Sequence, residues 1–303
     1  VNFSKSRGGR RSVAIVICLA AAAVAGCSNG AAAPGQVDVL VEQDIASWAL
    51  PSDAYAPPNV RLESYAVDLK ARDCVEELGV TYRVPRFDPA GPLPATSNGA
   101  SRRLFNEDIA SKFGYREDLD PRVDWEGRRL ADEDQSLLGD HAVYEQWIGC
   151  QDTAITELGG DPKSTLRQYG FPVDAADSDP AVVEAAGLWR ECMAPLGIVD
   201  LPPDATPEMG VAVTHLFADW GLNADVPPWE IGDPSAAEIA VATHDAQCRT
   251  SSGWTEARYQ AEWNAELDYL TKNYRDLEAQ RTHNQAQQEV FLATIRGVAN
   301  GEG

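Results

Sequence analysis

The chain has 303 residues, with 25 Lys and Arg against 47 Asp and Glu, a formal net charge of −22. A surface of that sign repels nucleic acid and anionic lipid headgroups, which argues against a nucleic-acid partner and against a polybasic membrane patch. The length supports one substantial core or two modest ones, and after the N-terminal region no apolar run is long enough to span a bilayer.

Residues 1–26 read as a lipoprotein signal peptide. Lys5, Arg7, Arg10 and Arg11 make a basic start, an apolar run extends from Val13 to Val24, and the segment closes in Val24-Ala25-Gly26-Cys27. The apolar run is too short to cross a hydrocarbon core of ~30 Å at ~1.5 Å per residue. An ordinary signal needs only small residues at its cleavage point; a Cys directly after Val-Ala-Gly is what lipid transfer requires. Cys27 is therefore the expected lipidation site, and two acyl chains on the exposed Cys suffice for stable anchoring at the outer, extracytoplasmic face of the cell membrane. The first 26 residues hold four basic side chains and no acids, so the chain from Cys27 onward has a formal charge of −26. That charge suits solubility by self-repulsion, or a place beside a polyanionic wall. Lipidated Cys27 and residues 28–36, SNGAAAPGQ, form a small, polar, flexible tether, and residues 37–303 make up the extracytoplasmic domain.

Six cysteines are present. Cys18 leaves with the signal and Cys27 carries lipid, so Cys74, Cys150, Cys192 and Cys248 remain. An even number in an oxidising compartment reads as two disulfides. Four cysteines allow three pairings, and spacing alone does not choose among them. Pairing chain neighbours, Cys74 with Cys150 and Cys192 with Cys248, is the expectation, because each bridge then joins successive Cys-bearing helices. Each would contribute about 3–4 kcal/mol by loop-closure arithmetic. Zinc is the competing reading: His244 and Cys248 lie four apart on one helical face, but no Cys-x-x-Cys accompanies them.

In chain order, residues 37–58 lack a regular period. Val60 to Leu78 is a helix with Val60, Val67, Ala71, Cys74 and Leu78 on one face and Gly79 as its stop. Residues 80–103 are rich in Pro and hold strand-like content only around Val80–Val84, so a small extended segment near 80–95 is expected. A short helix over Glu107–Phe113 follows the cap Asn106 and stops at Gly114. Residues 115–139 read as charged and irregular. From His141, the stripe Val143, Trp147, Cys150, Ala154 and Leu158 predicts a helix ending at Gly159-Gly160. Asp161-Pro162, Asp179-Pro180, Thr206-Pro207 and Asp233-Pro234 each place a capping acceptor before a Pro at the first helical position. The helices they open carry Val182, Ala185, Leu188, Trp189 and Cys192 from Pro180; Met209, Val213, Leu216, Phe217 and Trp220 from Pro207; and Ala237, Val241, His244 and Cys248 from Pro234. One long helix, Trp254 to Arg296, closes the chain without Pro or Gly. Its seam, Trp263, Leu267, Leu270, Tyr274 and Leu277, alternates steps of four and three. The same register then meets Arg281, Asn284 and Gln288 before Phe291 and Ile295, so the second half is expected to project or to meet a partner. Cys74, Cys192 and Cys248 are each followed five residues later by Gly, either a duplicated helix–Cys–turn unit or the habit of helices to end in Gly.

Several of these stretches occur together elsewhere. The Leu50-Pro51-Ser52-Asp53-Ala54-Tyr55 element, Asp73-Cys74 before Gly79, the stretch from Arg102-Arg103-Leu104-Phe105 to Phe113-Gly114-Tyr115, the Trp189-Arg190-Glu191-Cys192-Met193 helix, and Ala246-Gln247-Cys248-Arg249 ahead of a long terminal helix resemble a group of uncharacterised actinobacterial lipoproteins. The resemblance implies a helical, disulfide-bonded, lipid-anchored surface protein. It carries over no catalytic residue.

Motifs for catalysis are sparse. The sequence contains no G-x-S-x-G, no S-x-x-K, no H-E-x-x-H and no P-loop. His244 lies on a stripe beside Cys248 and reads as a packed or hydrogen-bonded histidine; His215 is placed to approach Asp219; His141 and His283 read as exposed. Asp177-Ser178-Asp179 and Asp132-Glu133-Asp134 lack the Gly and Glu of a calcium loop and read as solvated turns. Eight Trp are present. Trp147, Trp189 and Trp263 fall on helical stripes and read as core, whereas Trp125, Trp229 and Trp254 lie near loops or helix starts. Trp220, Trp229 and Trp254 are the candidates for an aromatic surface facing sugar or peptide; packing of Trp against Pro is the plainer alternative.

The expectation is a mainly α-helical, bundle-like domain with a long C-terminal helix and two disulfides. Its expected function is binding or scaffolding in the cell envelope, with an envelope protein or wall glycan as partner. The alternative is an envelope hydrolase working through acidic residues. No cofactor or metal is called for.

Overall fold

Eight α-helices build the fold among the residues that the computed structural model describes, namely 37–133, 141–160, 171–172, 174–205, 214–222 and 226–299. The expected signal, the lipidation site Cys27, the tether, the starts at Asp161-Pro162 and Thr206-Pro207, and Asp134 of the second acidic run lie outside them. The helices are α1 (Val60–Glu77), α2 (Glu107–Phe113), α3 (Trp125–Glu133), α4 (His141–Glu157), α5 (Pro180–Met193), α6 (His215–Asp219), α7 (Ala236–Ser251) and α8 (Trp254–Ala299). No described helix is long and apolar enough to cross a membrane.

The 46-residue α8, about 69 Å long at ~1.5 Å per residue, is the axis of the molecule. Trp263, Leu270, Leu277, Asn284 and Phe291 are all buried along it at seven-residue intervals, the spacing of a helical seam facing neighbours over many turns. Its first half meets α5 and α7, and its second half meets α1. A projecting second half is thus not what the fold contains. Asn284, which interrupts the apolar seam, donates through Nδ2 to the carbonyls of Tyr55 (3.1 Å) and Ala56 (3.2 Å) at the end of a 3-10 turn over Pro51–Tyr55. Those hydrogen bonds offset the desolvation of a polar seam residue, and Phe291 beyond it enters the core between α1 and α4.

Two cores flank this axis. One joins α5, α7 and the start of α8 around Val182, Trp189, Met193, Ala242, Cys248 and Trp254. The other joins α1, α4 and the end of α8 around Leu62, Ala66, Val75, Ala154 and Phe291. Each holds one disulfide: Cys74–Cys150 ties α1 to α4, and Cys192–Cys248 ties α5 to α7. The pairing of chain neighbours is the one formed. Between the cores, Leu50 packs with Tyr259 and Trp263, and Tyr55 with Leu270 and Leu277.

Local signals explain most helix ends. Asp179 caps α5 by accepting from Ala181 N (2.8 Å), with Pro180 first in the helix. Asn106 caps α2 by accepting from Ile109 N (3.0 Å). Gly79, Gly197 and Gly253 follow their Cys-bearing helices at φ of +81°, +66° and +75°, and a Cβ at any of them would meet open space. Their recurrence therefore comes from the left-handed turn that ends a helix, where Gly has no steric penalty.

Four local expectations are corrected. Helix α1 lies between α4 and α8 and buries a wider arc than one stripe, Leu62, Ala66 and Leu69 together with Val67, Ala71 and Val75, so Val60 and Cys74 face outward. Leu188 is likewise exposed on α5. Helix α7 starts after Ser235, whose Oγ accepts from Glu238 N (3.1 Å), and Asp233-Pro234 precede it. Residues 125–133 form α3 instead of irregular chain. It is amphipathic but buries no side chain. Its support is Asp124 Oδ1 accepting from Gly127 N (2.9 Å) and Arg129 paired with Glu126 and Glu133. Near 80–95 the chain is extended but makes no named strand; Phe87 forms an isolated bridge with Val123, closed by Asp88 N to Arg122 O (2.8 Å) and Asp124 N to Arg86 O (2.9 Å).

Candidate functional site

Two regions concentrate polar chemistry, and they differ in whether that chemistry is already used. In the α5–α7 core, Glu238 and Asp245 are fully buried. Glu238 accepts from Tyr115 N (3.1 Å) and from Arg116 Nε and Nη2 (3.1 and 2.8 Å). Gly114 makes this approach possible, because a Cβ there would lie 2.6 Å from Glu238 Oε1. Asp245 accepts from Tyr115 OH (3.0 Å), Trp189 Nε1 (2.7 Å) and Arg249 Nε (3.0 Å). The Arg249 guanidinium lies over the rings of Phe105 (4.6 Å) and Trp254 (5.1 Å). Buried charges so paired are held by the fold and are not free to act on a ligand.

The second region is an open groove of about 640 Å³ between α1, α3 and the Val226–Trp229 segment, within the ~300–1,000 Å³ of small-molecule sites. Helical spacing builds its walls. Arg61, Tyr65 and Asp68 line it from α1 at i, i+4 and i+7; Trp125, Arg128 and Asp132 line it from α3 at i, i+3 and i+7. Phe87 and Val123, joined by their bridge, contribute the side between the helices. Trp125 is oriented by donation from Nε1 to Asp120 O (2.9 Å), and the Arg61 guanidinium lies 5.3 Å above its ring. Trp229 meets it from the Pro227-Pro228 turn, with ring centroids 6.1 Å apart and planes at 53°.

The groove's charges are only partly committed. Arg61 is 3.7 Å from Asp120, and Arg128 is 3.6 Å from Asp132. Arg86 lines the groove and makes no ion pair among the described residues. Asp120 is buried, yet its hydrogen bonds and charge contact with Arg122 outweigh burial and lower its pKa. Asp68 shows the reverse balance: burial raises its carboxyl, and hydrogen bonds from Tyr82 OH (2.7 Å) and Gln151 Nε2 (3.1 Å), with the charge of Arg128, offset that only partly. Both donors address Oδ1, so Oδ2 retains its capacity to accept.

The sequence candidates are distributed unevenly over this geometry. Of Trp220, Trp229 and Trp254, only Trp229 lines the groove. Trp254 is buried in the α5–α7 core and donates Nε1 to Asp204 (2.7 Å), which corrects its placement on an aromatic surface. Trp220 stacks on Tyr115 at 5.8 Å. The three do not converge, and Trp125 takes the place beside Trp229. His215 pairs with Asp200 (Nδ1 to Oδ1, 2.9 Å) in place of Asp219. His244 is hydrogen-bonded as expected, its Nε2 3.1 Å from Cys192 O and 3.5 Å from Cys248 Sγ. Cys192, His244 and Cys248 cluster closely enough to resemble a metal site, but the two sulfurs are joined to each other, which leaves no thiolate to coordinate. Arg61, Arg86, Arg128 and Asp68 escaped the sequence reading. The available signal was the i, i+3, i+7 placement of Trp125, Arg128 and Asp132 in an amphipathic stretch, passed over because its charged residues read as irregular chain. Comparison with known proteins finds no matching family model, no similar curated protein and no similar solved structure.

Proposed function

We propose that this chain is an exported lipoprotein, anchored through lipid on Cys27 at the outer face of the cytoplasmic membrane, whose helical domain is a cell-envelope binding protein. The observation that carries the reading is the use of all four cysteines after Cys27 in two disulfides within one fold. That is the habit of oxidising, extracytoplasmic compartments, and it agrees with the basic start, apolar run and Val24-Ala25-Gly26-Cys27 of the sequence. The order of Cys-bearing helices, in which the chain resembles actinobacterial lipoproteins, supports the same reading. The groove at Trp125 and Trp229 supplies the binding surface.

Detergent phase partitioning of the protein made in an actinobacterial host tests the anchor. The natural chain is expected in the detergent phase with the membranes, and Cys27→Ser in the aqueous phase; retention of Cys27→Ser in the membrane overturns the reading. One observation favours the alternative of a hydrolase, the raised carboxyl of Asp68 inside the groove. Release of soluble fragments from wall extract by the purified protein, lost in Asp68→Asn, would establish that activity in place of simple binding.

A further inference from the structure

We propose that the groove between α1 and α3 takes a carboxylate-bearing saccharide, an inference that rests on the binding role above and names its ligand class. The first argument is charge. The chain is strongly acidic overall, yet Arg61, Arg86 and Arg128 line this one groove against Asp68 and Asp132, a local excess of positive charge. Repulsion from the rest of the surface is screened beyond ~8 Å at physiological ionic strength, whereas a guanidinium contact with a carboxylate acts at hydrogen-bond distance and is among the stronger polar contacts. Local arginines therefore decide which sign of ligand is held. Arg86 matters most, because among the described residues it has no ion pair to give up.

The second argument is the pairing of rings with an acceptor. Trp125 already has Arg61 over its ring, so the indole of Trp229 is the face on which the C–H side of a pyranose stacks. Asp68 separates a saccharide from an acidic peptide. Its Oδ1 accepts from Tyr82 and Gln151, while Oδ2 makes no hydrogen bond among the described residues. A sugar hydroxyl donates to that oxygen, whereas a second carboxylate beside it would be repelled. One ligand then satisfies all three elements: ring on Trp229, hydroxyl on Asp68, carboxylate on Arg86.

Calorimetric titration of the full chain in detergent micelles tests this with a hyaluronan tetrasaccharide as the probe. Neutral chitotetraose and a hexaglutamate peptide serve as comparisons. Saturable binding of the acidic tetrasaccharide is expected, about tenfold or more weaker for chitotetraose and for Arg86→Ala or Trp229→Ala, the loss of one charge-assisted hydrogen bond or stacking contact. Melting curves of both variants show whether the fold is retained, and Arg86→Lys, keeping the charge, should recover part of the affinity. Equal affinity for chitotetraose, binding unchanged in both variants, preference for hexaglutamate, or no binding of the tetrasaccharide each overturns the proposal. None of these touches the anchored binding role itself, which fails separately if Cys27→Ser stays in the membrane.

Discussion

The two ends of α8 meet two cores of similar construction and opposite chemistry. Each core packs helices against α8, and each is stapled by one disulfide between successive Cys-bearing helices. In the α5–α7 core the polar groups are sealed: Glu238, Asp245 and Arg249 are almost wholly buried and answer one another through Arg116, Tyr115 and Trp189. Beside the α1–α4 core the polar groups are more open: among the described residues Arg86 makes no ion pair and Asp68 accepts hydrogen bonds only at Oδ1, and two indoles border a cavity. A closed network specifies a packing arrangement, because each member needs the others in place. An open set of donors, acceptors and rings has its remaining valence turned toward a ligand. The contrast fits a structural role for the first region and the proposed binding role for the second.

Breaking the sealed network should produce the largest effect. Asp245→Ala leaves Arg249 buried without its carboxylate and is expected to cost about 3–5 kcal/mol, read as a lower midpoint in chemical denaturation. If the loss is within experimental scatter, the network is not what holds that core.

The disulfides sharpen the comparison next. They close loops of 76 and 56 residues, for which chain entropy gives nearly the same contribution, about 4 kcal/mol each. Each bridge has one buried cysteine, Cys150 or Cys248, so replacing both cysteines of a pair by Ala should cost only slightly more at Cys192–Cys248, where Cys192 is half-buried, than at Cys74–Cys150, where Cys74 faces outward. Unequal midpoints in the opposite order would show that the α1–α4 side is the more tightly packed.

Asp120 has an intermediate role, since it holds Arg122 and stands beside Arg61 at the groove. Its pKa is lowered in the fold, so its contribution is present above the unfolded value of ~3.9 and is lost as pH falls through the folded value. Asp120→Asn should cost about 1–2 kcal/mol at pH 7. The difference from the natural chain should shrink in denaturation curves taken below about pH 4. A gap that persists undiminished in acid would show that shape at this position, not charge, is what matters.

The smallest effect is expected where the groove is open. Arg86→Ala should leave stability within about 0.5 kcal/mol of the natural chain, because no partner is orphaned. A larger loss would mean that Arg86 supports the fold, and the division between a sealed and an open region would fail there.

The helical class, the long terminal helix, the four structural cysteines and the capped starts at Asn106 and Asp179 were legible in the sequence. Each rests on a local cause: apolar period, absence of Pro and Gly, an even count of thiols, or an acceptor placed before a helix. The pairing of the cysteines was legible only as one choice of three. The groove was largely illegible. Trp229 was singled out, but its partner Trp125 lies on α3, a helix supported by Asp124 and Arg129 with no buried face to betray it. Trp254 was misplaced because a helix start says nothing about whether its ring turns into a core. Asn284 and Arg281 looked like the end of a seam, since the carbonyls of Tyr55 and Ala56 that satisfy Asn284 lie more than two hundred residues away in the chain. Local pattern determines where helices begin, end and turn an apolar face. Which polar groups find partners, and which stay open for a ligand, is decided only when distant segments meet, because a hydrogen bond or ion pair depends on distance in space and not on spacing in sequence.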